Sequence, residues 1–221
     1  MAATLTMSHP KRPTGVAPEP VARSISHFAK PGPSWTVGHV ERELPPGGVP
    51  AYLAARDSGA RSFVLWADEH RTARAATVVT ASCAGGTSVY QVLGAQGELL
   101  CTVVREKAFT KGLRARWTVS RPGVPDAVGY KGRIVWWCVW WLFSPLLPFV
   151  LVVALFGGGD LPRRPGRIIW REGGRVPLEF KAHGNILHAG EPGLDPRAGA
   201  GLLALVRSFD DWLNAWDRNK K

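Results

Sequence analysis

Three small groups of side chains have the types and spacing that chemistry needs, and each has a structural reading beside the chemical one. Glu179, His183 and His188 set a carboxylate and two imidazoles in one short stretch, a set able to ligate a divalent cation across a turn. In so loop-rich a region they read as surface residues. Asp68-Glu69-His70 offers an acid and a base side by side, but it closes the candidate strand Ser62–Ala67 and reads as a polar turn. Cys83, next to Gly85-Gly86, is a thiol with no positioned base, so a nucleophilic role lacks its second member.

Other signatures are missing. The chain carries no Gly-x-Ser-x-Gly elbow, P-loop, His-Glu-x-x-His or Cys-x-x-Cys. Gly199-Ala-Gly201 precedes a helical pattern without the rest of a dinucleotide fingerprint, and reads as the flexible start of that helix. Cys83, Cys101 and Cys138 are too few and too scattered for a disulfide framework or a zinc site. The expectation is therefore no catalytic residue, no cofactor and no metal.

The elements that would position any site are mostly strands. Thr36–Glu41, Ala51–Ala55, Ser62–Ala67, Ala75–Ala81, Ser88–Leu93, Glu98–Arg105, Leu113–Ser120 and Asp126–Tyr130 are short β-like runs between turn signals. In the clearest, Leu113, Ala115, Trp117 and Val119 alternate with Arg114, Arg116 and Thr118, which gives one buried face and one wet one. Gly94-Ala-Gln-Gly97, Arg121-Pro-Gly123 and Glu172-Gly-Gly174 supply hairpin turns. Arg167–Arg171, Arg175–Lys181 and Asn185–Ala189 continue the pattern, with Pro177 demoting the middle one to an edge strand. Leu202, Leu205, Val206, Phe209, Trp212, Leu213 and Trp216 share one face of a closing amphipathic helix, which packs on the β-domain or lies at a membrane interface. The fold class is mainly β: an antiparallel β-barrel or sandwich with a C-terminal amphipathic helix and an inserted transmembrane or re-entrant hydrophobic segment.

That inserted segment is the strongest feature of the chain. Residues 134–156 run without a charge from Ile134 through Trp136, Trp137, Trp140 and Trp141 to Phe156, long enough to cross a hydrocarbon core of about 30 Å. Three placements compete: a single transmembrane helix, a re-entrant hairpin, and a buried core helix. Pro145 and Pro148 interrupt the middle, which suits a hairpin and is tolerated in a kinked span. The flanking cations are balanced, with Arg114, Arg116, Arg121, Lys131 and Arg133 before the run and Arg163, Arg164, Arg167, Arg171 and Arg175 after it. Charge therefore does not orient the segment. The chain divides into a disordered Pro-rich tail (1–34), a first β-rich part (35–133), the membrane segment (134–156), a basic Gly/Pro connector (157–166) and a hairpin plus helix (167–221). Met1 and Met7 are both candidate starts.

The net charge of +11, from 28 Lys and Arg against 17 Asp and Glu, calls for a polyanionic partner. Half of the cations lie in 105–133 and 163–181, so they bracket the apolar run where anionic headgroups would meet them. This favours a membrane over nucleic acid and marks Arg121, Lys131, Arg133, Arg163, Arg164 and Arg167 as candidate lipid contacts. With no signal-peptide pattern near the amino terminus, the bulk of the chain is expected to be cytoplasmic, at the cell membrane.

The stretch from Tyr90-Gln-Val-Leu-Gly to Arg116-Trp-Thr-Val-Ser-Arg-Pro-Gly and Tyr130-Lys131, followed by Leu194-Asp-Pro-Arg-Ala-Gly-Ala-Gly-Leu-Leu-Ala-Leu-Val206, resembles the tubby-like barrel superfamily, which includes LURP-one-related proteins and phospholipid scramblases. The resemblance implies a barrel threaded by its C-terminal hydrophobic helix, phosphoinositide binding or action at membranes, and no particular site residue. The chain departs from it by carrying the apolar run between strands and by a more charged final helix. The expected function is a membrane-anchored, non-enzymatic protein whose basic β-rich domain contacts anionic lipid or a membrane partner. The alternative is a lipid-handling protein of scramblase type.

Overall fold

A computed structural model describes residues 3–8, 23–29, 32–108, 110, 112–132, 166–190 and 194–209. They form twelve strands: β1 (Ala3–Met7), β2 (Arg23–Ala29), β3 (Ser34–Arg42), β4 (Phe63–Trp66), β5 (Arg74–Ala84), β6 (Thr87–Gly94), β7 (Leu99–Glu106), β8 (Arg116–Arg121), β9 (Val124–Lys131), β10 (Arg167–Glu172), β11 (Arg175–Lys181) and β12 (Ile186–Ala189). Two helices complete them, α1 (Gly48–Ser58) and α2 (Pro196–Arg207). All neighbours are antiparallel, and β1 pairs with β2 on one side and β12 on the other, Leu5 standing opposite both His27 and Leu187. The sheet is thus a closed barrel and not a sandwich, and no strand is left with an unpaired edge.

Period-two patterning makes the wall. Along β6, Ser88, Tyr90, Val92 and Gly94 turn in while Thr87, Val89, Gln91 and Leu93 are half-exposed. Trp117 and Val119 of β8, Ile168 and Trp170 of β10, and Leu178 and Phe180 of β11 complete this side of the core. The lumen is filled by α2. Every residue from Ala198 to Val206 is buried, because a helix apolar on all sides satisfies itself only when surrounded. Pro196 opens the helix and the Asp195 carboxylate caps it, accepting from the Arg197 backbone N–H at 2.8 Å.

Several expectations change. The closing helix does not lay one face on a β-domain: Leu203 and Ala204 are as buried as Leu202 and Leu205, since barrel wall meets them on every side. Gly199 and Gly201 are interior helix positions that let the backbone approach the wall, not a flexible start. Trp212, Leu213 and Trp216 lie outside the described residues. Within the segment 1–34, expected to be disordered, Ala3–Met7 and Arg23–Ala29 form β1 and β2. Leu5, Met7 and Ile25 each reach the core, and with ten other strands supplying the rest, these few apolar residues suffice.

Residues 51–55 are helical. Ala, Leu and Arg favour helix, only Tyr52 is buried, and Gly47 and Gly59, both at φ 103°, close the two ends. Strand β8 starts at Arg116 instead of Leu113, whose side chain is 60% exposed on the preceding loop. Pro177 is not at an edge. The ladder between β10 and β11 shifts between Trp170 and Glu172, so Pro177 sits in a bulge where its missing N–H is not needed. The turns Arg121-Pro-Gly-Val124 and Glu172-Gly-Gly-Arg175 are two-residue hairpins as expected, with Gly173 and Gly174 both at positive φ. Among the described residues no helix is long and apolar enough to cross a membrane. The run 134–156, with Ile134, Trp136, Trp137, Trp140, Trp141, Pro145, Pro148 and Phe156, lies outside the described residues, as does the connector 157–165.

Candidate functional site: the basic rim

Strand direction alternates around an antiparallel barrel, so each strand end belongs to one of two rims. Lys131 ends β9 and Arg167 begins β10 on the same rim, where the Gly132 N–H donates to the Arg167 carbonyl at 2.9 Å. Both flanks of the apolar run therefore leave and rejoin the barrel at one end. That rim also receives the carboxyl end of α2 and the loop carrying α1.

Charge is divided unequally between the rims. The rim of Lys131 carries, among the described residues, Arg23, Arg42, Arg56, Arg61, Arg105, Lys107, Arg114, Arg116, Lys131, Arg167, Lys181 and Arg207, twelve cations, against Glu41, Glu43, Asp57, Glu106 and Glu179. The opposite rim is balanced, with Arg71, Arg74, Arg121, Arg171, Arg175 and Arg197 against Asp68, Glu69, Glu98, Asp126, Glu172 and Asp195, although beside the four-residue β4 Arg71 reaches Glu41 at 3.1 Å and Arg74 reaches Glu43 at 4.0 Å. The excess positive charge of the described barrel thus lies wholly at one end.

Beside the exit of β9 is a cleft of about 310 Å³, lined by Glu106, Lys107, Gly112, Leu113, Arg114, Arg116 and Tyr130. Arg114 stacks over the Tyr130 ring at 4.7 Å and donates to the Gly132 carbonyl at 3.1 Å. Arg116 lies 3.5 Å from the buried Glu106 carboxylate. Exposed Leu113 and Tyr130, among cations, make a surface that suits a headgroup layer, apolar in part and positive around it.

Of the candidate lipid contacts, Lys131 and Arg167 share this rim, Arg167 ion-paired to Glu179. Arg121 does not: it stands at the opposite rim, its side chain 6% exposed and 2.9 Å from Glu172. Burial in an ion pair removes it from any lipid surface, which corrects the expectation. Arg133, Arg163 and Arg164 lie outside the described residues. The cleft residues Lys107, Leu113, Arg114 and Tyr130 were not singled out by the sequence, although a leucine in a loop flanked by glycine and arginine was the signal available.

The other constellations resolve as structure. Glu179 faces Arg167 and Lys181, and His188 Nδ1 meets Thr4 Oγ1 at 3.1 Å, so no metal-holding group of His, Cys, Asp and Glu exists among the described residues. Burial, together with the Lys181 charge, lowers the His188 pKa against the pull of Glu179. Asp68 closes its turn by accepting from the Thr72 hydroxyl and from the Thr72 and Ala73 backbone, and these bonds, the hydroxyl first, keep its pKa low. Cys101 is sealed in the core, where burial pushes its thiol up to about 12.

Fold and site together define a closed twelve-strand barrel, plugged by its own helix and charged at one end. Compared with protein-family models, curated proteins and solved structures, the chain matches none.

Proposed function

We propose that this is a membrane-anchored, non-enzymatic protein whose basic rim rests on anionic lipid, with residues 134–156 inserted from that rim. The carrying observation is the coincidence of three features at one end of the barrel: the charge excess, the cleft of Leu113 and Tyr130, and both flanks of the apolar run.

The pairing of β9 with β10 also favours one membrane placement. Lys131 stands opposite Ile168 in a single sheet, so a segment crossing the bilayer once would put paired strands on opposite sides. A re-entrant hairpin returns to the side it left. A lumen filled by α2 weighs against the buried-core placement. The barrel is then on the cytoplasmic side of the cell membrane, held by headgroup contacts from Lys107, Arg114, Arg116, Lys131 and Arg167.

The tubby-like resemblance belongs to this reading as a proposal, supported by the helix that threads the barrel. The scramblase-type alternative is narrowed by the same helix: a filled lumen offers no path for an acyl chain, so any lipid handling would occur at the rim. Flotation of the full chain with phosphatidylcholine vesicles, with and without phosphatidylserine, tests the proposal. Phosphatidylserine is expected to increase retention, and Lys107→Glu with Arg114→Glu to abolish that increase. Arg171→Glu with Arg175→Glu, on the opposite rim, should leave it intact. Equal loss from both rims, or retention indifferent to phosphatidylserine, sinks the reading.

A further inference from the structure

At the barrel mouth where α2 ends, the Arg61 and Arg105 guanidiniums share the Phe209 ring and pair with no carboxylate among the described residues. Arg61 arrives by way of the α1 cap: Gly59 turns the chain at φ 103°, and its carbonyl accepts from the Tyr90 hydroxyl at 2.7 Å. Thr80 Oγ1 then clamps Arg61 by accepting from its N–H and donating to its carbonyl, both at 2.7 Å. The Arg61 residue is 7% exposed. Its Nη1 donates to the carbonyls of Arg56 and Ala60, while Nε is buried without an acceptor among the described residues.

Arg105 enters from β7 in the inward register of Cys101 and Val103. Its guanidinium carbon lies 4.1 Å from the Phe209 ring centroid and 5.7 Å from that of Trp117, and the Arg61 carbon lies 4.4 Å from the same Phe209 ring. Burial lowers the pKa of both, and the Arg105 charge adds to the effect on Arg61.

Such an arrangement is costly unless something completes it. The rings attract the cations but accept no ordinary hydrogen bond. The carbonyl end of α2 carries about half a negative charge, yet the carbonyls of Ala204, Leu205 and Val206 already accept from Ser208 and Phe209. We infer that the mouth is an anion site, with a phosphate-type oxyanion taken up by Arg61 and Arg105 beside Phe209. Planar guanidinium forks match a tetrahedral oxyanion in pairs, and a dianion would neutralise both charges. The site lies inside the wall, apart from the outer cleft of Arg114 and Tyr130, and its case does not depend on membrane binding. The phosphate comes from a headgroup or from solution.

The test titrates the full chain with inorganic phosphate against chloride at matched ionic strength, read by calorimetry and by thermal melting. Saturable binding and a phosphate-dependent rise in Tm are expected. Arg105→Gln should weaken binding at least tenfold, and Arg175→Gln on the far rim should not. A native chain indifferent to phosphate overturns the site, as does an Arg105→Gln chain with native near-ultraviolet circular dichroism and undiminished binding. If Arg105→Gln does not fold, Arg105→Lys keeps the charge and loses the fork; unchanged affinity there overturns the site as well. A second arm uses vesicles of phosphatidylcholine and phosphatidate. Release by inorganic phosphate assigns the site to a headgroup, and saturable phosphate binding without release assigns it to a free anion; both uphold the site. Because the first arm contains no lipid, its failure is distinct from failure of the membrane reading.

Discussion

Gly201 of α2 passes the Val92 side chain of β6 so closely that a Cβ on the glycine would stand 2.8 Å from Val92 Cγ1 and 3.1 Å from Val78 Cγ2. The valines sit in a closed wall and cannot swing away. Gly201→Ala should therefore destabilise the barrel by about 1–3 kcal/mol through overpacking, despite the gain of ~1 kcal/mol in helix propensity. Urea unfolding measures the net sign, and a stabilised variant would show that the helix has room to shift.

Leu203, wholly buried between wall and helix, tests the filled lumen from the other direction. Leu203→Ala should cost about 2–5 kcal/mol, because the surrounding strands cannot collapse onto the space. A cost below ~1 kcal/mol in urea unfolding would contradict a packed interior.

Arg121 and Glu172 form a nearly buried pair at the balanced rim. Glu172→Leu alone removes the carboxylate facing a sequestered guanidinium and should cost about 3 kcal/mol. Arg121→Met combined with Glu172→Leu should recover most of it. Vesicle retention should be unaffected by either, since this rim faces away from the proposed lipid.

His188 gives a pH dependence with a definite sign. Its folded pKa is lowered, mainly by burial and then by Lys181. The unfolded chain therefore binds the proton more readily, and stability is fully present above the ordinary histidine value of about 6.5. It falls as pH drops below that value towards the folded pKa. His188→Gln should flatten this part of the profile, measured by urea midpoints between pH 7.5 and 5.

Leu113 is 60% exposed and contributes little to the core. Leu113→Asp should leave the melting temperature nearly unchanged while reducing vesicle retention, because inserting one leucine is worth about 1.5–3 kcal/mol. Unchanged retention would remove the cleft from the membrane contact.

Strands β5 to β9 were legible because alternation and glycine turns coincide there. Trp117 and Val119 turn in, Thr118 out, and Arg121-Pro-Gly closes the hairpin. Strand β2 was hidden by its own interior, where Arg23 and His27 occupy inward positions that a hydrophobic pattern cannot recognise, and β1 by its length of only five residues. The helix α1 was hidden because its single buried residue, Tyr52, provides no period at all. That misreading matters for the site. Each cation's rim follows from strand parity, and a spurious strand at 51–55 reverses the assignment of everything after it. The cationic character was legible from composition, whereas its concentration at one end required the count of strands.

Thr4 and His188 touch across 184 positions of chain, since the first strand closes on the last. A ribosome delivers β12 and α2 after all the other described elements, so until then β1 has only half its partners and the lumen has no filling. Contacts so distant in sequence make closure slow. The apolar run emerges before that closure, while the barrel is still an open sheet with two exposed edges. On the membrane reading proposed above, engagement by the run would come first, and the strands after it would be captured by a sheet already held at the lipid surface.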